Sequence, residues 1–340
     1  MLFSKRKLVV GTMAWSGLLS IMERFARRPG LVVFNYHRVG SLAQCPFDEG
    51  VFSADREQFR KQVEYLSKHF EVLRLEDLLA IAEAGFAFRR PTALLTFDDG
   101  YRDNYTTAFP VLKDSGIAAT FFIITSQPTH STLPWWDRIA YVIKNTRVCE
   151  LVLDYPVPAV FDWKRVTRPT AIQQVLRSYK DAPEISQDQF FAHLEERAEV
   201  AVDAGGLAQD LFMSWPEIRE LVAGGMSIGS HTHTHPILAR LTAEEQQREL
   251  CTSWEVLQSE LGQPVAALSY PVGGPGTFDG TTKRLARAAG YRLGFSYYGG
   301  AVRPGHADLF DIQRISVDHD MSLSLLRARS TMLSAWGRSI

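Results

Sequence analysis

The sequence predicts an α/β protein whose strands form a parallel sheet with enough strands to close into a barrel. The first observation is a series of short apolar stretches, rich in β-branched and aromatic residues, that are typical of buried strands. The second is that helical stretches separate them and that glycine ends several of these helices, as at Gly85 and Gly290. Strands that alternate with helices form βα units, which build parallel sheets. The predicted strands cover residues 31–36, 92–97, 120–124, 226–229, 266–270, 293–297 and 312–317.

The helices between these strands have recognisable ends. Ser214 with Glu217, and Thr242 with Glu245, have the spacing of a capping box, which predicts that a helix begins at each. Pro110 interrupts a further helical stretch. The predicted helices cover residues 55–69, 73–84, 103–115 and about 242–261.

Two adjacent carboxylates, Asp98 and Asp99, stand where the strand over 92–97 ends. Neighbouring negative charges repel each other, and burial makes the repulsion more costly. A cation beside the pair would offset that cost, and Gly100 lets the backbone turn sharply here. One Asp would then hold a metal ion while the other acts as a base. The alternative is a helix cap at Asp98 and a solvated turn residue at Asp99.

Three histidines alternate in the segment 230–236 (SHTHTHP). Imidazole is the commonest metal-binding side chain near neutral pH. In a helical turn His231 and His235 share a face and His233 points elsewhere, whereas in an extended segment all three share one face. Both arrangements allow His231 and His235 to bind one ion. Together with Asp99 they supply three protein ligands and leave a position for water, the pattern of a catalytic zinc site.

The segments 96–100 (TFDDG) and 230–236 together resemble the two metal-site motifs of the polysaccharide deacetylases, the family of the NodB homology domain and of carbohydrate esterase family 4. Their order and separation are also similar to that family, over roughly residues 31–317. The resemblance implies a distorted (β/α)7 barrel with catalytic residues at the C-terminal ends of its strands. It assigns the general base to Asp98 and the metal to Asp99, His231 and His235.

The resemblance also implies a divalent metal, for which we take Zn²⁺ first and Co²⁺, Ni²⁺ or Mn²⁺ as alternatives. Hydrolysis of an acetamide further needs a general acid that protonates the leaving amine. The Leu-x-Leu-His-like strand that supplies this acid in much of the family is not recognisable here. The segment 35–38 (NYHR) resembles the opening strand of circularly arranged members. We therefore assign the acid to His37 and keep His319 as the alternative.

The segment 270–276 (YPVGGPG) resembles the third motif of the family, which lines the active-site groove. Many members carry an arginine two residues before the proline, where it orients the catalytic Asp, but this chain has Ser269 there. The candidates for a replacement are Arg303, Arg314 and Arg38. The resemblance assigns substrate binding to Tyr101, Trp215, Tyr270 and Pro271. For Trp215 the alternative is packing at the start of its helix.

The domain organisation follows from where the alternation of strands and helices breaks. Residues 126–210 are interpreted as a helical insertion into a barrel that covers residues 30–325, with residues 326–340 as a C-terminal tail. Within the insertion, Trp135 and Trp136 would either stack on sugar rings or seal the insertion against the barrel.

The composition is that of an ordinary globular protein, with 46% hydrophobic residues and a formal net charge of −1. It has no basic excess and no long basic run, so nucleic acid is excluded as a partner. Cys45, Cys149 and Cys251 have no Cys-x-x-Cys spacing, which argues against a disulfide framework and favours a reducing compartment. The sequence leaves the oligomeric state open.

Residues 1–29 combine an apolar run over 8–22 with basic residues on both sides. The run is shorter than the roughly 20 apolar residues that a transmembrane helix needs. Three interpretations remain open: an uncleaved anchor, an interfacial helix with basic ends, and a helix packed on the domain. We favour contact with a membrane surface, and expect a cytoplasmic or membrane-associated protein.

The function expected from the resemblance is a metal-dependent N-deacetylase. Its substrate would be N-acetylhexosamine units of a polysaccharide or lipid-linked glycan, in exopolysaccharide or cell-envelope biosynthesis. The alternatives are a deformylase or amidase that acts on another amide, and a barrel that binds carbohydrate without turnover. Asp98 argues against the last of these, because a binding protein needs no base beside the metal.

Overall fold

The structure is a computed structural model that describes residues 17–26, 29–43, 45–182, 185–302 and 308–336. Seven of its strands form one parallel barrel: β1 (Gly30–Tyr36), β2 (Pro91–Phe97), β3 (Thr120–Ile123), β4 (Ser227–Ser230), β5 (Ala267–Ser269), β6 (Leu293–Ser296) and β7 (Ile312–Ser316). They pair in the order β1-β7-β6-β5-β4-β3-β2, and β2 pairs with β1 to close the ring. The predicted (β/α)7 barrel is therefore confirmed.

The barrel strands are accompanied by helices and short elements, many of them at the predicted positions. The strand Glu71–Val72 pairs with β2, and Arg38–Val39 pairs with Phe52–Ala54. The capping boxes at Ser214 and Thr242 are both formed. Single turns cover Glu49–Val51, Asn104–Ala108 (π-helical) and Leu238–Arg240. The helices are α1 (Leu18–Ala26), α2 (Arg56–His69), α3 (Leu75–Glu83), α4 (Phe109–Asp114), α5 (Trp135–Asn145), α6 (Arg168–Asp181), α7 (Gln187–Ala198), α8 (Ala204–Ala208), α9 (Trp215–Ala223), α10 (Ala243–Leu261), α11 (Gly280–Ala289) and α12 (Leu323–Trp336).

Alternate residues of a barrel strand face opposite sides, and the structure separates them into two apolar layers. Val32, Phe34 and Tyr36 of β1 pack in one cluster with residues of α2. Leu31 and Val33 belong to a second cluster, together with Leu94 of β2, Ile312 of β7 and other strand residues. Towards the C-terminal ends of the strands this second set of positions becomes polar. The next residues in it are Asn35, Thr96, Asp98 and Arg314, all of them buried.

A second compact unit consists of Leu42–Val51 and His130–Leu211. It contains α5 to α8 and an antiparallel pair of strands, Glu150–Leu153 and Ala159–Asp162. The sequence pattern placed residues 42–51 in the barrel, but the main-chain N–H of Asp48 donates to Asp137 in α5, at 3.0 Å. This hydrogen bond ties the segment to the second unit.

The two tryptophans of α5 pack inside the second unit. The ring of Trp135 stacks on Tyr179 with 4.7 Å between centroids, and Lys180 Nζ lies 5.6 Å from the ring centroid of Trp135. Trp136 is buried. Packing within the unit accounts for both residues, so we assign neither of them to a sugar.

Residues 326–340 were expected to be a tail, but the structure has α12 there as far as Trp336. The expectation failed because Leu326 and Ser330, one helical turn apart, are both buried, as are Ala328 and Thr331. Most of the apolar run over residues 8–22 lies outside the described residues, and its end forms part of α1. Over the described ranges, no helix has both the length and the apolar character required to cross a membrane.

Candidate metal centre and catalytic site

Three buried side chains lie together at the C-terminal ends of the barrel strands. Asp99 Oδ1 is 3.4 Å from His231 Nε2 and 3.6 Å from His235 Nε2. The ligand atoms of the three residues all lie within 4.8 Å of one another. One carboxylate and two imidazoles are a donor set that fits a divalent metal.

The backbone reaches this arrangement through conformations that few residues adopt. Asp99 has φ 73° and the following Gly100 has φ 78°. Thr232 and His235, on either side of His233, have φ 65° and 63°. A left-handed conformation is unfavourable for residues with a β-carbon and is found where the surrounding structure enforces it, commonly at functional sites. The fold therefore holds both metal-site segments in strained turns.

The hydrogen bonds around His231 orient its ring towards Asp99. His231 Nδ1 is 2.8 Å from the carbonyl oxygen of Ser269, so the proton on Nδ1 donates to that oxygen and Nε2 faces Asp99. A backbone carbonyl on the second ring nitrogen is the usual support of a metal-binding histidine. Burial and the neighbouring His231 lower the pKa of His235 to about 3, which keeps the His235 ring neutral and able to bind a cation.

The pKa of His231 is shifted in the opposite direction. Burial alone would lower it, but the carboxylates of Asp98 and Asp99 outweigh burial and raise it. A divalent cation between Asp99 and His231 would take the place of the proton that these carboxylates favour. Binding of a metal must therefore compete with protonation of His231.

His233 is turned away from the other two histidines. Its Nδ1 is 2.9 Å from Thr125 Oγ1, and its main-chain N–H donates to Glu249 Oε2 at 2.9 Å. Residues 231–236 are neither helix nor strand. The division of the three histidines is nevertheless the one expected for a helical turn, with two rings beside Asp99 and the third elsewhere.

Asp98 is held by a buried arginine from the opposite end of the chain. Arg314 Nη1 donates to Asp98 Oδ1 and Arg314 Nη2 donates to Asp98 Oδ2, both at 2.8 Å. Burial alone would raise the pKa of Asp98, but the guanidinium of Arg314, with His231 and His37, holds that pKa well below its usual range. Asp98 is therefore ionised and fixed in position.

Every N–H group of the Arg314 side chain has an acceptor. Besides the two bonds to Asp98, Nε donates to the Ser296 carbonyl at 3.0 Å, Nη1 to Asn35 Oδ1 at 2.5 Å and Nη2 to Ser269 Oγ at 2.8 Å. Asn35 and Ser269 in turn donate to Asp98 Oδ2, at 3.0 and 3.3 Å. Ser269 stands where the third motif commonly has arginine, and its small side chain lies between Arg314 and Asp98.

Of the three arginines considered for this role, Arg314 is therefore the partner of Asp98. Arg38 pairs instead with Asp103, with 2.7 Å between Nε and Oδ2. Arg303 lies outside the described residues.

His37 directly follows β1 and lies close enough to the carboxylate pair to influence it. It is one of the groups that hold the pKa of both Asp98 and Asp99 low. Its main chain is fixed on two sides, because its N–H donates to Ser53 Oγ at 2.9 Å and its carbonyl accepts from Asn104 Nδ2 at 2.6 Å. Asn104 begins the π-helical turn, so that irregular turn supports His37.

Sequence reasoning missed Tyr297, which follows β6. Its ring stands edge-on to the imidazole of His37, with 5.7 Å between centroids and an interplanar angle of 89°. The guanidinium carbon of Arg314 is 5.9 Å from the centroid of the same ring. Tyr297 is half-buried, and its ring contacts both Arg314, the partner of Asp98, and His37, the candidate acid. Its place directly after a barrel strand was the only signal in the sequence.

The alternative acid, His319, lies after β7. Its main-chain N–H donates to the carbonyl of Phe52 at 3.0 Å. It is not among the strongest influences on the pKa of Asp98 or of Asp99, whereas His37 is. The assignment of the acid to His37 stays a prediction.

The residues assigned to substrate binding have different surroundings. The buried ring of Tyr101 stacks on Phe212, and the buried ring of Tyr270 stacks on Phe278 while its hydroxyl donates to the Phe310 carbonyl. Both phenol rings therefore pack inside the protein. If these two residues contact a substrate, they do so through their main-chain groups.

Trp215 and Pro271 are both buried as well. Trp215 Nε1 donates to Thr129 Oγ1 at 3.0 Å, which holds the indole at the start of α9. Pro271 is followed by Val272 with φ 62°, a further strained turn at this end of the barrel. A substrate contact at either residue stays a prediction.

Comparison with known proteins gives a family. The family model described as polysaccharide deacetylase matches residues 87–294. YxkH of Bacillus subtilis, whose name places it among the polysaccharide deacetylases, is 25% identical over 235 residues, which are 69% of this chain and 54% of that protein. The poly-beta-1,6-N-acetyl-D-glucosamine N-deacetylase of Staphylococcus epidermidis is 31% identical over 105 residues, 28% of this chain and 36% of that protein. The chain thus spans about half of the first relative and about a third of the second.

Solved structures show the same fold. The deacetylase PplD of Streptococcus pyogenes, in complex with acetate, has a TM-score of 0.58 at 18% identity, over 88% of this chain and 97% of that chain. IcaB from Ammonifex degensii has a TM-score of 0.56 at 21% identity, over 90% of this chain and 98% of that chain.

The metal centre can be tested with its third histidine as the control. His231→Ala and His235→Ala should each abolish tight binding of Zn²⁺ or Co²⁺, whereas His233→Ala should leave the affinity unchanged, because His233 bonds to Thr125. Affinity would be measured by competition with a chromogenic chelator. It should fall by about tenfold per pH unit below the raised pKa of His231, since one proton must then be displaced. An equal loss of affinity in His233→Ala would contradict the proposed ligand set.

The pairing of Arg314 with Asp98 can be tested by a double-mutant cycle. Arg314→Met leaves a buried carboxylate without its cation and should lower the free energy of unfolding by about 3–5 kcal/mol. Adding Asp98→Asn should recover part of this loss, so the two effects will not add. Denaturant unfolding of the metal-free protein measures both. Arg219→Met, which removes a half-exposed partner of Glu260, is the control and should change stability little. If Arg314→Met lowered the free energy of unfolding no more than the control does, Arg314 would not be the residue that offsets the buried charge of Asp98.

Proposed function

This chain belongs to the polysaccharide deacetylase family, and from that premise we propose that it is a metal-dependent N-deacetylase. Its substrate would be the acetamide of N-acetylhexosamine units in a polysaccharide or lipid-linked glycan. The observation that carries the proposal is the position of Asp98, an ionised and rigidly held carboxylate, beside the group formed by Asp99, His231 and His235. A site that only bound sugar would need no second carboxylate there.

In this proposal the roles divide between the two aspartates. Asp99, His231 and His235 hold the metal, which when bound polarises water and the acetamide carbonyl. Asp98 accepts the proton of the attacking water. Its Oδ2 accepts hydrogen bonds from Arg314, Asn35 and Ser269, whereas among the described residues Oδ1 accepts one from Arg314 alone, so Oδ1 is the oxygen better placed to take a proton.

The second half of the reaction needs a donor and a site for negative charge. His37 gives a proton to the leaving amine, which is a poor leaving group until it is protonated. The main-chain N–H near Tyr101 stabilises the oxyanion that forms when the carbonyl is attacked. Arg314 is a positioning residue, because it acts through Asp98.

The choice of substrate class is supported by a relative. The Staphylococcus epidermidis protein is named as an N-deacetylase of poly-beta-1,6-N-acetyl-D-glucosamine. We propose the same general class here, an N-acetylated glycan made during exopolysaccharide or cell-envelope biosynthesis. Zn²⁺ is the metal we propose first, since one carboxylate and two imidazoles are donors that suit it, and Co²⁺, Ni²⁺ and Mn²⁺ follow.

The function is tested by product analysis on a panel of N-acetylated oligosaccharides. Acetate should be released by the metal-loaded protein, release should stop with a chelator, and it should return when metal is added back. Formate released from an N-formylated sugar would assign the site to a deformylase instead. No acetate from any sugar in the presence of metal would favour a barrel that binds carbohydrate without turnover.

Substitution of Asp98 and substitution of Asp99 should have different effects on metal content. Asp98→Asn should keep the metal and lower turnover by about a hundredfold or more, because the base is lost while the ligands remain. Asp99→Asn should lose the metal and turnover together. Metal content and acetate release, measured on the same samples, decide between them. Loss of metal in Asp98→Asn would show that the two roles are exchanged.

The general acid can be assigned by comparing two histidines. His37→Ala should lower turnover by about a hundredfold or more with little change in metal content, because the amine then leaves without its proton donor. His319→Ala should retain most of the activity. The measurement is the rate constant for acetate release as a function of pH. In His37→Ala the fall of this rate at high pH, which reports loss of the proton from the general acid, should disappear. A large loss confined to His319→Ala would move the acid to that residue.

A further inference from the structure

Helix α1 has one face packed on the barrel unit. Leu19 is 1% exposed and Glu23 is 8% exposed. Both carboxylate oxygens of Glu23 accept hydrogen bonds from Arg327 in α12, at 2.9 and 2.6 Å, and Tyr65 of α2 donates to the same carboxylate at 2.6 Å. This network fixes the rotation of α1 about its own axis.

The opposite face of α1 is apolar and exposed. Leu18, Ile21 and Phe25 are spaced at i, i+3 and i+7, so they lie along one side of the helix. Their exposed fractions are 46%, 57% and 77%. Among the described residues six large apolar side chains are exposed, and three of the six are these. The exposed apolar surface of the described residues is thus concentrated on this helix.

The charge of the chain is segregated in the same region. Residues 1–28 contain six lysines and arginines and a single acid, Glu23, in a chain that has 37 basic and 38 acidic residues. Residues 29–340 therefore carry a net charge of −6, and residues 1–28 carry +5. The one acid does not oppose an anionic partner, because it is buried against Arg327. Arg24 lies on α1 itself, with its guanidinium carbon 5.8 Å from the ring centroid of Phe25.

We propose that α1 binds the surface of an anionic membrane, with Leu18, Ile21 and Phe25 inserted between lipids and Arg24 on the headgroups. An apolar helical face combined with a basic flank is the pattern of helices that lie in a membrane interface, and anionic lipids attract such basic residues. A second copy of the chain fits this face less well, because two segments of net charge +5 would repel each other on contact.

The experiment uses the full chain and vesicles in a sedimentation assay. The protein should bind vesicles of phosphatidylcholine mixed with phosphatidylglycerol, and binding should weaken in high salt and on vesicles of phosphatidylcholine alone. The double substitution Ile21→Ser with Phe25→Ser should weaken binding by about tenfold or more, since it removes the inserted apolar area. Arg24→Glu should weaken binding to the anionic vesicles only.

The matched control is Val160→Ser, which removes an exposed apolar side chain, 59% exposed, from the strand Ala159–Asp162. It should leave vesicle binding unchanged. All variants should keep the thermal unfolding of the parent, because the altered side chains are at the surface. Binding does not depend on hydrolysis, so failure of this proposal and failure of the proposed deacetylase activity are separate results.

Two outcomes would overturn the proposal. One is equal binding by the parent and the double variant, or no binding by the parent to either kind of vesicle. The other is a concentration-dependent dimer that the double variant loses, with no vesicle binding, which would assign the exposed face of α1 to a second copy.

Discussion

The catalytic end of the barrel depends on the compensation of buried negative charge. Asp98 and Asp99 are adjacent in sequence and both are buried, an arrangement that repulsion and desolvation strongly oppose. The two carboxylates have different neighbours that offset their charge. Asp98 receives the two-point contact of a fully buried guanidinium, and Asp99 faces two imidazoles that suit a cation. The first compensation is built into the chain, and the second would come from a metal ion in the proposed function.

This division requires a closed barrel, because the groups come from strands distant in sequence. The positions that carry apolar side chains near the start of β1, β2 and β7 carry Asn35, Asp98 and Arg314 further along the same strands. The register of β7 on β1 pairs Arg314 with Val33, and β1 pairs with β2 along its whole length. Only when β1 lies between β7 and β2 does a guanidinium from residue 314 reach a carboxylate at residue 98. The strand order is thus part of the site.

The sequence predicted those parts of the site that are local. The Asp pair, the alternating histidines and the position of both at strand ends are visible within short segments, and the structure brings these segments together. Which arginine meets Asp98 depends on strand order and register, so Arg314 could be named only as one of three candidates. Tyr297 gave no signal beyond its place after β6, and the rings of Tyr101 and Tyr270 proved to be occupied inside the protein. The tail expected after residue 325 failed for a similar reason, since the face that α12 buries becomes apparent only in contact with its neighbours.

The same interaction that permits Asp98 to be buried also limits what it can do alone. Its pKa lies well below the usual range of a carboxyl group, because the guanidinium of Arg314 favours the ionised form. The carboxylate is therefore always ready to accept a proton but is a weak base, and it cannot deprotonate ordinary water at a useful rate. Such a base becomes effective only where the pKa of the water has itself been lowered, which is the chemistry that a divalent cation supplies. For the proposed function this gives a physical reason for the position of Asp98 beside Asp99, His231 and His235: the base relies on the cation that those three residues would hold.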